Sequence, residues 1–207
     1  MRRTWLSPKG NIYAALRLPD LPPFNQDHAA LALGALLAKT LTQLKLDLKV
    51  KWPNDLVLIQ DKIAYKVGGI LVEERGGVIL AGIGLNYAWA PKKEELSKDA
   101  LIPAISLSCV NQLAGTKNAR EFWHNLVRSL ISTYKEEQNF AENWSKIFDD
   151  YLIFKKENVC VVDGEKTFQG RIVGICTDGS LHLLTQEGDV FLRSGSIRQM
   201  LAFKNEP

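Results

Sequence analysis

KWPNDLVLIQDKIAYKVGGILVEERGGVILAGIGLN, residues 51–86, sets polar groups and glycines among apolar strands, and its reading decides the fold. It divides into three strands. The first runs to Ile59, with a turn at Gln60, Asp61 and Lys62; the second covers Ile63 to Glu73; the third runs from Val78 to Asn86 after a Gly76-Gly77 turn. Three strands joined this way make a meander. Strict alternation puts Lys66, Gly68, Ile70 and Val72 on one face of the second strand, and Leu80, Gly82, Gly84 and Asn86 on one face of the third. Glycine weakens a strand interior, so its repetition on neighbouring faces points either to a ligand lying against the backbone or to a helix packed tightly on it. Pro53 removes a ladder donor and drives Trp52 into an extended conformation, so the strand bends or begins there and aims Asn54 and Asp55. An ordinary Asn-Asp turn is the alternative.

Three motifs occur in order: Trp52-Pro53-Asn54-Asp55, then K-x-x-G-I-L-x-E from Lys66 to Glu73, then G-x-G-x-N from Gly82 to Asn86. Together they resemble the catalytic module of the biotin protein ligases. The resemblance implies an α+β fold, with a mixed β-sheet packed with helices as in class II aminoacyl-tRNA synthetases, and a small C-terminal SH3-like β-barrel. It implies activation of biotin by ATP with Mg²⁺, and transfer to a lysine of a biotin carboxyl carrier protein domain. Lys66 is then the catalytic lysine and Asp55 a catalytic carboxylate that holds the metal. Lys51 contacts nucleotide, Asn54 and Asn86 orient substrate oxygens or ribose, and Gly69, Gly82 and Gly84 let the biotin tail lie against main chain. Trp5 covers the adenine, and Arg3 comes from the downstream end of the biotin loop. Lys62, aligned with an insertion before Gly69, is the alternative catalytic lysine; Lys66 needs no break within the motif.

The chemistry explains why a lysine is needed. A carboxylate and a phosphate repel each other, so an ammonium between them is the minimum equipment for joining them. The resemblance also implies a Gly-Arg-Gly-Arg part of the biotin loop, with a strand and helix before it, that the sequence from Met1 onward does not contain; either the true start lies upstream, or the chain has been cut, or it is a degenerate member. Two alternatives therefore stand beside the ligase: an incomplete ligase that binds nucleotide or a carrier partner without catalysis, and lipoate or octanoate transfer on a related fold.

Composition is compatible with a compact catalytic module. At 207 residues and 46% hydrophobic, the chain can bury a sizeable core, with one main domain and a small second one. A net charge of +3 is too mild for a nucleic-acid binder, so DNA binding is not expected. Cys109, Cys160 and Cys176 are far apart and lack metal-ligand spacing, which reads as reduced thiols in a cytoplasmic protein. No apolar run is long enough to span a bilayer. A homodimer is a reasonable expectation if a sheet edge is exposed.

Outside the meander, a strand is expected from Ile12 to Leu18, and Leu21-Pro22-Pro23-Phe24 reads as a linker. Asn25 or Asp27 can cap a buried helix from His28 to Leu44, with His28 at the surface. Pro103 to Val110 reads as a short strand or loop. A second helix from Ala119 to Gln138 carries Phe122, Leu126, Leu130 and Tyr134 at intervals of four, with Trp123, Val127 and Ile131 beside them, as core; His124 faces outward. A third covers Phe140 to Asp149. The division falls at residues 1–154 for the catalytic domain and 155–207 for the β module, whose strands are Asn158–Val162, Thr167–Ile175, Leu181–Thr185 and Val190–Arg193.

Overall fold

The computed structural model describes residues 8–96, 102–110 and 118–199. Trp5 and Arg3 lie outside the described residues. The meander forms as expected: β3 (Asp55–Gln60), β4 (Ile63–Arg75) and β5 (Val78–Leu85) follow one another, with β1 (Ile12–Arg17) and β2 (Leu48–Lys51) on either side in the order β1-β5-β4-β3-β2. Every neighbouring pair is antiparallel, which corrects the expected mixed sheet. For β3, β4 and β5 the reason is local. The turns at Asp61-Lys62 and Gly76-Gly77 place both central residues in the left-handed region, and such tight turns return the chain antiparallel.

Three helices, α1 (Ala29–Gln43), α2 (Ala119–Glu136) and α3 (Phe140–Tyr151), complete this half. α1 lies on the sheet face that carries Val50, Leu56, Ile70 and Ile83, all buried. A methyl group built at Gly34 of α1 would meet the side chains of both Ile70 and Val50 at an ordinary 3.6 Å, which places this point of the helix directly over that face. α2 buries Phe122, Leu126 and Leu130 as its spacing predicts, whereas Ile131 is exposed. Asn118 caps α2 by accepting from the Glu121 amide.

Three further expectations are corrected. The position before α1 is His28, which makes no side-chain capping bond, so neither Asn25 nor Asp27 caps the helix. His28 is buried, its ring stacked on Trp144 at 4.3 Å, because a flat aromatic partner and the turn at Gly179 cover it. Phe24, in the expected linker, is core, packed between Tyr134 and Phe140.

The C-terminal half is a second antiparallel sheet: β6 (Asn158–Asp163), β7 (Lys166–Ile175), β8 (Leu181–Thr185), β9 (Gly188–Leu192) and β10 (Ser196–Gln199), in the order β10-β6-β7-β8-β9. β7 is long enough to pair its first half with β6 and its second with β8, but β10 pairs only with β6. Among the described residues the sheet is open rather than the closed barrel expected. It is tied to the first half through α3 and the segment after it. The Asp149 carboxylate accepts from the Ile175 amide at 2.8 Å, and Ile153 donates to the Val50 carbonyl at 3.0 Å. No described helix is long and apolar enough to cross a membrane.

Candidate functional site

Strand register decides which side chains meet. Gly84 pairs with Gly69 and Tyr13, and Gly82 pairs with Leu71 and Ala15, so these residues share the face of the sheet opposite the helices. Asp55 faces Gly69 and Lys51 faces Asp55, which extends that face across β3 and β2. The result is a groove of about 560 Å³. Gly69, Gly82 and Gly84 floor it, Tyr13 and Ala15 lie on the β1 side, and Asn54, Asp55 and Lys66 stand at the other end. The alternative of a helix packed on these glycines is corrected, since α1 lies on the opposite side of the sheet. A larger depression, about 880 Å³, opens on the C-terminal sheet between Thr167–Arg171 and Leu184–Glu187. It contains no described ion pair, so the chemistry favours the smaller groove.

Simple alternation does not put Lys66 here. The register shifts between Leu56, opposite Gly68, and Val57, opposite Lys66, so Val67 is an extra residue that β3 does not match. This is a β-bulge, a device that re-aims a side chain. It moves Lys66 onto the face of Gly69 and Leu71, and it corrects the expected grouping of Lys66 with Gly68, Ile70 and Val72. Gly68 falls on the helix side, where a methyl group would sit 2.3 Å from the Gly84 carbonyl oxygen, so glycine is required for the close approach of β5. Gly82 differs: its nearest described neighbour would be the Leu71 carbonyl oxygen at an ordinary 3.6 Å.

The Lys66 backbone is held where β5 ends. Its amide donates to the Pro103 carbonyl at 2.8 Å and its carbonyl accepts from Ile105 at 3.1 Å, so residues 103–105 take the place that β5 leaves. Asn86 joins the two segments. Its amide donates to the Val67 carbonyl and its carbonyl accepts from Leu107, both at 2.7 Å, while its side-chain amide reaches the Lys66 carbonyl at 3.5 Å. Asn54 does the same across β3, with Nδ2 donating to the Ile70 carbonyl at 2.9 Å and its own carbonyl accepting from the Ile70 amide at 3.0 Å. Both asparagines hold main chain around the bulge; the Asn54 Oδ1 has no described partner.

At the centre, Lys66 Nζ lies 2.5 Å from Asp55 Oδ1, and Lys51 Nζ lies 3.5 Å from Asp55 Oδ2. Lys51 and Asp55 are largely buried, and Lys66 keeps more of its side chain toward the groove. Both carboxylate oxygens thus face ammonium groups. That arrangement brings two ammonium groups to one end of a water-accessible groove, where positive charge suits an anion. It does not fit a protein-held divalent metal: Asp55 is a single carboxylate with both oxygens already engaged, and no described group of His, Cys, Asp or Glu could hold an ion.

Of the residues expected from sequence, the structure brings together Lys51, Asn54, Asp55, Lys66, Gly69, Gly82 and Gly84, with Asn86 supporting the Lys66 backbone from behind. Lys62 lies in the exposed turn between β3 and β4, away from the groove. Trp5 and Arg3 remain outside the described residues. Sequence reasoning missed the segment 103–107 as a support of the lysine. It also missed the inward course of Trp52, whose indole is fully buried and donates to the Gly179 carbonyl at 3.2 Å. The paired glycines after Lys66-Val67 were the available signal for the bulge.

Residues 1–87 match the Biotin/lipoate A/B protein ligase family. Over 197 residues the chain is 30% identical to the bifunctional ligase/repressor BirA of Salmonella typhimurium, covering 90% of this chain and 58% of that protein. Over 200 residues it is 30% identical to the bifunctional ligase/repressor BirA of Bacillus subtilis, covering 91% and 58%. The chain therefore spans less than two thirds of the length of these relatives. The biotin protein ligase of Aquifex aeolicus, solved in complex with biotin and ATP, shares the fold with a TM-score of 0.70 at 24% identity, covering 94% of this chain and 80% of that one. The first 87 residues thus match a biotin/lipoate A/B protein ligase family domain, and over nine tenths of its own length the chain is similar to the bifunctional ligase/repressors BirA.

Proposed function

We propose that this chain is the catalytic module of a biotin protein ligase. In this reading a biotin carboxylate oxygen attacks the α-phosphorus of ATP, the bond to the β-phosphate breaks, and pyrophosphate leaves. A carrier lysine amine then attacks the acyl carbon, loses a proton, and releases AMP. The observation that carries the reading is the convergence of Lys66 on Asp55 at the end of a glycine-floored groove. Two anions brought to 4 Å repel by roughly 4 kcal/mol at an effective dielectric of about 20, and an ammonium between them removes that obstacle. Proximity in the groove supplies the remainder, up to roughly 7–11 kcal/mol for well-oriented reactants.

Within the proposal, Lys66 sits between the biotin carboxylate and the α-phosphate, and Lys51 meets the nucleotide. Asp55 holds both ammonium groups in place. Magnesium would arrive on the ATP phosphates, supplying charge neutralisation there, with no protein carboxylate reserved for it. Asn54 offers its free Oδ1 to substrate, Asn86 fixes the lysine backbone, and Gly69, Gly82 and Gly84 let the biotin tail lie on main chain. Trp5 and Arg3 keep their proposed roles at adenine and biotin. The acceptor is a biotin carboxyl carrier protein domain, the catalytic domain spans residues 1–154, and residues 155–207 form an SH3-like module.

The test is direct. The full chain, given biotin, ATP and Mg²⁺, is expected to release pyrophosphate only when biotin is present and to biotinylate a carrier domain on one lysine, read by mass spectrometry. Binding of biotinyl adenylate without turnover would favour the non-catalytic alternative. Turnover with lipoate but not biotin would replace the substrate.

A further inference from the structure

The most enclosed polar contact between the two halves of the molecule ends two residues from the candidate site. Trp52 opens the motif that delivers Asn54 and Asp55, yet its indole points away from the groove, fully buried, and donates to the carbonyl of Gly179 at 3.2 Å. Gly179 lies in the turn between β7 and β8. That turn is closed by Cys176 N–H donating to the Ser180 carbonyl and Gly179 N–H donating to the Cys176 carbonyl, both at 2.9 Å. Asp178 fastens it further, accepting from the Ser180 amide at 3.0 Å, the Ser180 hydroxyl at 2.6 Å and Arg193 at 3.0 Å.

The turn fits its seat with no spare room. Gly179 has φ of +85°, and a methyl group there would lie 2.7 Å from His28 Cβ and 3.0 Å from Leu31 Cδ1 at the start of α1. His28 is in turn stacked on Trp144 of α3. A turn so rigidly held can fix the carbonyl that Trp52 uses, and Trp52 is joined to Asn54 through Pro53, whose ring leaves little freedom. Asn54 is clamped to Ile70 through side chain and main chain, and Asp55 follows it to meet Lys66.

We propose that the 176–180 turn of the C-terminal sheet is a positioning element of the ligase site, acting through Trp52 on Asp55 and so on the Lys66 ammonium. The proposal rests on the ligase reading for its kinetic consequence but not for its geometry. Trp52 is a positioning residue: it touches no reacting group, and it holds the loop whose carboxylate aims the lysine. The C-terminal sheet then contributes to the chemistry without supplying a side chain to the groove.

The experiment uses the full chain with Trp52→Phe, which removes the N–H and trims the buried indole to a single phenyl ring, and Gly179→Ala, which displaces the turn. Two readouts are taken. Pyrophosphate release is expected to show kcat lowered at least 10-fold in each variant, with KM for ATP and biotin within 2-fold of the parent, and a double variant no worse than the more damaged single one. Acylation of Lys66 by a small amine-reactive ester, followed by peptide mass spectrometry, is expected to change at least 3-fold in both variants while Lys62 is unaffected. Unchanged Lys66 labelling in Trp52→Phe, with a lowered melting temperature alone, would overturn the proposal, as would additive losses in the double variant. If the parent protein releases no pyrophosphate, the ligase reading fails by itself, and the labelling of Lys66 still decides the coupling.

Discussion

The two faces of the first sheet are made from the same strands and solve opposite problems. The face beneath α1 is filled: Val50, Leu56, Ile70 and Ile83 are buried against the helix. The other face is emptied, with Gly69, Gly82 and Gly84 where alternation would allow large side chains, and its polar groups are gathered at one end. Packing tolerates exchange among apolar residues of similar volume, so the filled face is specified loosely. The open face depends on particular atoms at particular places, and one bulge determines whether its lysine is present at all.

The comparison is broken most severely by removing the ammonium. Lys66→Ala is expected to lower the rate of adenylate formation at least about 100-fold, the scale of losing one preorganised electrostatic contact, while leaving a cooperative melt. Lys62→Ala is expected to keep the parental rate, and the reverse outcome in the same pyrophosphate assay would transfer the catalytic role to the turn.

Neighbouring residues on opposite faces sharpen the contrast next. Ile70→Ala leaves a cavity beneath α1 and is expected to cost about 2–5 kcal/mol in denaturant titration. Leu71 is 60% exposed at the groove, and Leu71→Ala is expected to shift stability by no more than about 0.5 kcal/mol while weakening biotin binding, measured by calorimetry. The glycines divide the same way. Gly68→Ala must displace the Gly84 carbonyl and is expected to destabilise the fold, whereas Gly82→Ala finds ordinary contact and is expected to fold normally. A larger Gly82→Leu change is expected to abolish biotin binding in a protein that still melts cooperatively.

The smallest expected effect concerns pH. Burial holds the pKa of His28 below its ordinary value, against the opposing pull of Asp178 and then Asp27. The folded protein therefore binds this proton less readily than the unfolded chain. Stability from His28 is present in full above about pH 6.5 and declines as pH falls toward the lowered folded value. Asp178 is depressed mainly by the Ser180 hydroxyl and amide, so its contribution is lost separately, as pH falls below about 4. Melting temperatures between pH 5 and 8 should rise with pH in the parent and show a shallower slope in His28→Gln.

The meander was legible because its turns carry short-range signals: paired glycines at 76 and 77, and polar residues at 60–62 between apolar runs. The α2 stripe was legible for the same reason, a period that repeats within one element. The identities of Lys51, Asn54, Asp55 and Lys66 were legible from their motifs, but the geometry among them was not. Alternation assigned Lys66 to the face of Ile70, and the extra residue at Val67 reverses that assignment. The remaining misreadings are non-local. His28 is buried by Trp144 and by a turn about 150 residues downstream, and no window of sequence around His28 contains either partner. Closure of the C-terminal sheet was not legible for a similar reason, since strand propensity counts strands but does not state which edges meet.

The bulge at Val67 has a consequence for how this chain can vary over evolutionary time. Point changes on either face can be tested by selection one at a time, but loss or gain of a single codon between Lys66 and Gly69 exchanges inside for outside in one step. Spacing within this short interval is therefore expected to be less forgiving than the identity of the residues that fill it, and gaps introduced there when aligning relatives would misassign the amine.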